Sequence, residues 1–254
     1  MEPILKLENV HKSFQAHFWT KKKKILKGIS LEIYPGEIFG FLGPNGAGKT
    51  TTIKIITGLL RPDTGAVTVM GSSIESIDVR QNMGFLPESP YFYDHLTGYE
   101  FLKNHALLAN CRDYKDKIIT LLLKVGLSKS RDVALRKYSR GMLQRIGIAQ
   151  ALISDPKLLV LDEPLTGLDP IGRKEVKDII LEQKNKGTTI FFSSHILPDA
   201  EAVCDRIGII IEGEILKIGS LDKLLKRGTK TDEISLEEWF MQQVQSKPKE
   251  ATNV

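Results

Sequence analysis

Cysteine is almost missing from this chain: Cys111 and Cys204 are the only two in 254 residues. They are too few, and too far apart in sequence, for a disulfide framework or a thiolate metal site. Both are expected to serve as small buried hydrophobes. Long apolar runs are missing too. None approaches the roughly 20 residues that a bilayer span requires, and Glu2 and Pro3 interrupt any secretory leader, so a soluble, cytoplasmic protein is expected. Nor does one sign of charge dominate. Lys and Arg number 36 against 31 Asp and Glu, a net charge of +5. That balance suits anionic partners without singling out nucleic acid over phospholipid head groups. What remains, 41% hydrophobic and 26% charged residues, is an ordinary folded composition, and the length allows one large α/β core or two small ones.

The most informative stretch is Gly43-Pro44-Asn45-Gly46-Ala47-Gly48-Lys49-Thr50, which satisfies G-x-x-x-x-G-K-[ST] at every fixed position. An apolar strand over residues 38–42 precedes it, and a helix starting at Thr51 follows it. Successive backbone N–H groups and a helix N-terminus therefore converge on one anionic site. Lys49 adds a point charge that can reach β- and γ-phosphates. The Thr50 hydroxyl is placed to bind a magnesium ion bridging the same groups. A glycine-rich turn with a chance lysine would lack the flanking strand and helix.

Along the chain, residues 4–10 and 31–33 read as short strands joined by a connection that carries Phe14, Phe18, Trp19 and the run from Lys21 to Lys24. The lysines read as a solvated run, or as a patch that steers ATP or touches anionic lipid. The aromatics read as loop packing, or as a ring on which a base stacks. Residues 61–65 are turn chemistry, and 67–70 return as a strand. From Pro87 to about Ser154 the apolar spacing becomes helical, with helices expected over 101–108, 117–125 and around Met142, Ile146, Ala149 and Ile153. The entrance to that region holds Tyr91-Phe92-Tyr93, either an exposed partner-binding patch or rings packed on Phe101 and Leu102.

The continuous apolar run at 158–161 predicts a parallel strand buried on both faces. Asp162 and Glu163 follow it. Carboxylates at the carboxyl end of a buried strand are costly unless they meet a cation or proton donor, and ligands of open α/β sheets sit at that end. In a nucleotide hydrolase the first would hold magnesium and the second would polarise the attacking water. A strand over 189–192 ends in Ser193-Ser194-His195, again at the reacting end. Residues 207–218 predict a hairpin. In the tail, Ser235-Leu236-Glu237-Glu238 is a capping box, and Leu236, Trp239, Phe240 and Val244 form one apolar stripe, so a docking helix is expected.

Taken together, these motifs resemble the ATP-binding subunit of an ABC transporter over nearly the whole chain. Residues 43–50, with Thr51, are similar to the Walker A motif, and 158–162 to Walker B, with Glu163 at the position of the catalytic glutamate. Residues 166–169 resemble the D-loop, and His195 the switch histidine. Tyr138-Ser139-Arg140-Gly141-Met142 stands where the family has Leu-Ser-Gly-Gly-Gln, and Phe14 where it has an aromatic that stacks on adenine. Glu88 replaces the family's Q-loop glutamine, which touches the magnesium, and Arg140 replaces a signature glycine.

The resemblance implies an α/β fold: a P-loop NTPase (RecA-like) core with an N-terminal antiparallel β subdomain and an inserted α-helical subdomain. The ATPase domain would span 1–222, with its core at 1–86 and 154–222, the insertion at about 87–153, and a tail over 223–254. It further implies magnesium-dependent ATP hydrolysis in a head-to-tail homodimer. Ser139 and Gly141 of one subunit would face the γ-phosphate bound by the other. Such a subunit is cytoplasmic and peripheral on the inner face of the membrane, held there by a transmembrane permease subunit, and no nucleic acid is expected as a partner. Leu86-Pro87-Glu88, Ser139-Arg140-Gly141-Met142 and the tail 235–240 look most like the bacterial ABC-2 type export subfamily. A soluble ABC ATPase acting on ribosomes or DNA is the alternative. Against it stand a single Walker A motif and the lack of an extended heptad run. A nucleotide-binding switch is disfavoured by the complete Walker B motif with its glutamate.

Overall fold

The computed structural model describes residues 1–15, 19, 21–225 and 235–246, the last four as backbone only. Two sheets organise the chain. The first is antiparallel, in the order β2-β1-β4-β5, from β1 (Leu5–Phe14), β2 (Lys23–Ile33), β4 (Thr64–Val69) and β5 (Ser72–Ser73). The second has the order β10-β9-β3-β8-β7-β6. Its strands β3 (Ile38–Leu42), β6 (Met83–Leu86), β7 (Leu158–Asp162), β8 (Thr189–Ser194) and β9 (Arg206–Ile211) run parallel, and β10 (Glu214–Ser220) closes the edge as an antiparallel hairpin with β9.

Strands β3, β7 and β8 are buried at every position, which is why their sequences are apolar runs rather than alternations. The two-residue period then sorts each run onto two faces. Phe39, Phe41, Leu158, Val160 and Phe191 turn toward the antiparallel sheet, where they meet Leu5, Val10, Ile29, Ile53 and Ile56. Phe191 lies between Phe39 and Phe41, with ring centroids 6.1 and 5.4 Å away. Ile38, Leu42, Leu159, Leu161, Ile190 and Phe192 face the opposite core, made by the helices.

The helices are α1 (Lys49–Ile56), α2 (Ile77–Gln81), α3 (Gly98–Leu108), α4 (Tyr114–Lys124), α5 (Arg140–Ala151), α6 (Pro170–Asn185), α7 (Leu197–Glu201), α8 (Leu221–Leu224) and α9 (Leu236–Ser246). A reciprocal capping box between Thr97 and Glu100 starts α3. Phe101, Leu102, Ile118, Leu122 and Ile146 bury their side chains where α3, α4 and α5 meet. The last of these helices also packs on β6, so it belongs to the sheet as much as to the helical region. Ser235 and Glu238 exchange the two hydrogen bonds of their capping box. Leu236 and Trp239 of α9 are buried, and Phe240 is packed beside them. The helix rests on α7, where the Leu236 N–H donates to Glu201 Oε2 at 3.1 Å. Burying two such side chains stabilises by about 1.5–3 kcal/mol each. Val244's side chain lies outside the described residues.

Some expectations need correction. The first two strands are longer than their apolar residues suggest. Strand β1 runs on to Phe14, while β2 begins at Lys23, so Phe14 pairs with Lys23 and Ser13 with Lys24. Half of the lysine run is therefore strand, because ladder hydrogen bonds and inward-facing Leu26 and Ile29 outweigh the poor strand preference of lysine. Cys204 is buried as expected, but Cys111 is only half-buried. Among the described residues no helix is long and apolar enough to cross a membrane.

Candidate functional site

The loop after β3 reaches α1 through Gly48, whose φ of +114° puts the N-cap in a left-handed conformation. A Cβ there would lie 2.7 Å from the Leu26 side chain, so both backbone and space require glycine. The helix begins at Lys49, two residues earlier than the sequence pattern suggests. The N–H groups of Lys49, Thr50 and Thr51 fall in the first turn, where no intrahelical acceptor exists. They border a cavity of about 510 Å³ lined by Phe14, Lys23, Ile25, Asn45, Gly46, Gly48, Lys49, Thr50, Thr51, Glu88 and Glu163. Gly43, Pro44 and Ala47 do not line it but shape the loop that does. The first two direct their carbonyls at Lys49 Nζ, at 2.8 and 3.4 Å, and Ala47 N–H closes a turn onto Pro44 O at 3.2 Å.

Phe14 stands at the mouth, 45% exposed. Its strand end is tied down by Asp63, which accepts from Lys12 Nζ at 2.8 Å and from the Ser13 N–H at 2.7 Å. The Lys12 ammonium also lies 5.7 Å from the Phe14 ring centre. Phe18 lies outside the described residues, and Trp19 is 83% exposed.

At the cavity floor the ends of β7 and β8 bring three functional groups together. Asp162 is buried, and burial pushes its carboxyl above the usual range, while hydrogen bonds from Ser193 and Thr50 pull the other way. The Ser193 hydroxyl donates to Asp162 Oδ1 at 2.7 Å and accepts the Glu163 N–H at 2.9 Å, so one side chain fixes both carboxylate residues. Glu163 has φ +51°, a strained value for a residue other than glycine. Its Oε2 meets His195 Nδ1 at 2.8 Å and accepts from the Thr166 hydroxyl at 3.3 Å. Because a carboxylate only accepts, the shared proton belongs on His195 Nδ1. The other oxygen, Oε1, is buried with Lys49 Nζ at 3.2 Å but without a properly directed hydrogen bond. A buried acceptor left in that condition is suited to a water or a polar ligand group.

Magnesium is implied by the motif, and the donor set fits it. Thr50 and Asp162 supply two oxygens that already engage each other, and Glu88 lines the same cavity. Among the described residues no group of three or more His, Cys, Asp or Glu could by itself hold a metal.

Ser139 and Gly141 are not part of this cavity. They open onto a second one of about 400 Å³, shared with Arg140, Gly167, Leu168 and Asp169. Ser139 caps α5, its Oγ accepting the Met142 N–H at 3.2 Å. A Cβ on Gly141 would meet nothing closer than Leu168 Cδ2, at 3.6 Å. Arg140 does not simply extend into solvent, for a Cβ on Gly167 would fall 2.4 Å from its guanidinium carbon.

The ABC transporter family model matches residues 26–166, more than half of the chain, from within β2 through the Walker B carboxylates. The chain belongs to the ABC transporter family. It is an ABC nucleotide-binding subunit, a P-loop ATPase that binds ATP. An uncharacterised ABC transporter ATP-binding protein of Nostoc is 47% identical over 227 residues, covering 87% of this chain and 68% of the relative. A lantibiotic transport ATP-binding protein of Streptococcus pyogenes is 40% identical over 213 residues, covering 84% of this chain and 89% of the relative. A solved ATP-binding subunit of an ABC transporter superposes with a TM-score of 0.83 at 30% identity, covering 95% of this chain and 99% of that one.

Sequence reading left three residues of this ABC subunit without a role. Ser193 is the bridge between Asp162 and Glu163, and its only advance signal was a hydroxyl at the end of a buried run. Thr166 reaches back three residues to Glu163. Gln144, buried on α5, donates from Nε2 to the Pro164 carbonyl at 2.9 Å, linking the signature helix to the segment after Glu163. In a helix pattern it reads as one more polar position.

Proposed function

We propose that this ABC ATPase powers export through a separate ABC-2 type membrane subunit, working as a head-to-tail homodimer that closes on two ATP molecules. It would then sit in the cytoplasm, peripheral to the inner face of the membrane. The observation that carries the reading is the division of the phosphate-binding groups between two cavities of one chain. Lys49, Thr50 and Glu163 line one of them, with Asp162 and His195 bonded behind Thr50 and Glu163, while Ser139, at a capped helix N-terminus suited to an anion, opens onto the other. A second copy turned head to tail would bring the two halves together. A role in transport is supported by the lantibiotic transport relative, and the export direction rests on the resemblance of residues 86–88, 139–142 and 235–240 to the ABC-2 type subfamily.

In this reading Lys49 neutralises charge on the β- and γ-phosphates, and Phe14 stacks on the adenine. Thr50, Asp162 and Glu88 would hold magnesium, which when bound offsets the charge on the same phosphate oxygens. Glu163 Oε1, paired with Lys49 Nζ but without a directed hydrogen bond, is the oxygen that would take up the attacking water and draw off its proton. His195 steadies Glu163 by donating from Nδ1 to Oε2. Asp162 remains a ligand because Ser193 and Thr50 occupy it.

For the partner surface the exposed rings Tyr91 and Tyr93 fit best, at 86% and 58% exposure. They stack edge to face, with centroids 6.1 Å apart. Phe92 between them instead turns inward onto Phe101, at 5.3 Å. Exposed paired aromatics next to the cavity segment that carries Glu88 have the composition of an interface centre.

The test is Glu163→Gln. It keeps the shape and the phosphate contacts, so ATP should bind, turnover should fall by about two orders of magnitude or more, and a stable dimer should appear on size-exclusion chromatography only with ATP. Parental turnover, or a monomer at saturating ATP, would reject the scheme.

A further inference from the structure

Glu163 and His195 stand just past the carboxyl ends of neighbouring parallel strands, where each begins a connection to a helix. Residues 164–169 lead into α6, and Ile196 leads into α7. The ladder between β7 and β8 ends at Asp162↔Ser193, so sheet hydrogen bonds fix neither connection. The 2.8 Å approach of the two side chains therefore depends on how those connections are held relative to each other.

One guanidinium touches both. Arg173, early in α6, donates from Nε to the Leu168 carbonyl at 3.3 Å and from Nη1 to Asp199 Oδ2 at 3.4 Å. Leu168 belongs to the connection that follows Glu163, and Asp199 lies in the first turn of α7, four residues after His195. Lys177, one turn further along α6, holds the other oxygen, Asp199 Oδ1, at 2.6 Å. Asp199 is 4% exposed, and both of its carboxylate oxygens are engaged. A buried carboxylate with a cationic partner on each oxygen has few alternative arrangements, because withdrawing either partner leaves one buried oxygen without its hydrogen-bond donor. At its other end α7 is held by α9 through Glu201 and Leu236, so its rotation is opposed from two sides.

We infer that Arg173 is a positioning residue for ATP hydrolysis, locking the segment after Glu163 to the helix after His195 so that the carboxylate and the imidazole stay in register. Asp199 is the anchor on the histidine side, and Lys177 keeps that anchor occupied. Arginine suits the position because its planar fork serves a carbonyl and a carboxylate at once. A lysine ammonium there could keep the ion pair but not both directed contacts. The inference rests on the proposed roles of Glu163 and His195 in turnover.

The experiment compares Arg173→Lys, Arg173→Gln and Asp199→Asn with the parent in the full chain, measuring kcat and KM for ATP with magnesium together with Tm. Glu163→Gln and His195→Ala are run beside them. Arg173→Gln should lower kcat about tenfold or more while KM changes by no more than about twofold. Arg173→Lys should recover most of the Tm and only part of the kcat, because it restores the pairing with Asp199 but not the contact with Leu168. Should Arg173→Gln or Asp199→Asn fail to fold, the split between Tm and kcat in Arg173→Lys decides alone. Recovery of kcat in full step with Tm, or parental kcat per folded molecule in every Arg173 variant, would reduce the cluster to a structural staple and overturn the inference. If Glu163→Gln and His195→Ala collapse turnover while the Arg173 variants do not, the hydrolytic reading stands and only the positioning role falls. If those two variants themselves turn over ATP like the parent, both fall.

Discussion

The two cavities are similar in size, about 510 and 400 Å³, and differ in how deeply their charged groups are buried. At the phosphate cavity Lys49 and Glu163, with Asp162 behind them, are buried and hydrogen-bonded to Gly43, His195, Ser193 and Thr50, and Glu163 Oε1 has only its ion pair with Lys49. The second cavity carries a helix N-terminus and the exposed Arg140, a residue with no ion-pair partner among the described residues. A cation at the positive end of a helix is unfavourable in an isolated chain. In the proposed head-to-tail dimer, the first region would be a nearly finished site and the second the half that a partner's nucleotide completes.

Mixing two disabled chains is the strongest way to break that comparison. Lys49→Ala removes the phosphate cation from one cavity, and Ser139→Arg blocks the anion-facing helix end in the other. Each variant alone should lose nearly all ATPase activity. Together they should regain a substantial part of it, since one of the two composite sites in a mixed dimer is intact. If the mixture is no more active than its parts, the halves do not meet between subunits.

A smaller effect tests whether the phosphate cavity also ends in a base platform. Phe14→Ala should weaken ATP and GTP binding together by about 1–3 kcal/mol, as expected for stacking that does not read base edges. The check is titration calorimetry or fluorescent-nucleotide displacement. Loss of ATP affinity alone would mean directed base recognition, and no loss would dismiss Phe14 as the platform.

The smallest effect on the isolated chain is expected at the exposed rings. Replacing Tyr91 and Tyr93 with Ser should leave Tm and basal ATPase nearly unchanged, because neither ring supports the core, yet it should abolish co-purification with the membrane subunit. A lowered Tm with assembly intact would assign the rings to the fold.

What could be read in advance divides along similar lines. The phosphate loop, the buried strands and the tail capping box depend on neighbours within a few positions, so spacing reveals them. The carboxylates and His195 were visible because each follows an apolar run that marks a strand end. Ser193, Gln144 and, toward Asp199, Arg173 act on partners 20 to 31 residues away, and no local pattern records such a meeting. The strand through Lys23 and Lys24 was hidden for a related reason: its justification is the paired strand opposite, not its own side chains. The aromatic run divided because exposed Tyr91 and Tyr93 alternate with inward Phe92, a distinction set by three-dimensional packing on Phe101.

Gly141 has a consequence for how damage to this protein would be noticed. Nothing in its own chain crowds the place where a Cβ would stand, the nearest atom lying at ordinary contact distance. In the proposed head-to-tail dimer, a demand for glycine there would arise only when a nucleotide-bearing second copy arrives. A cell's quality control, which detects exposed apolar surface and failed folding, would pass a chain altered at this residue as sound. The defect would remain silent through synthesis and folding and become apparent only when two subunits try to close.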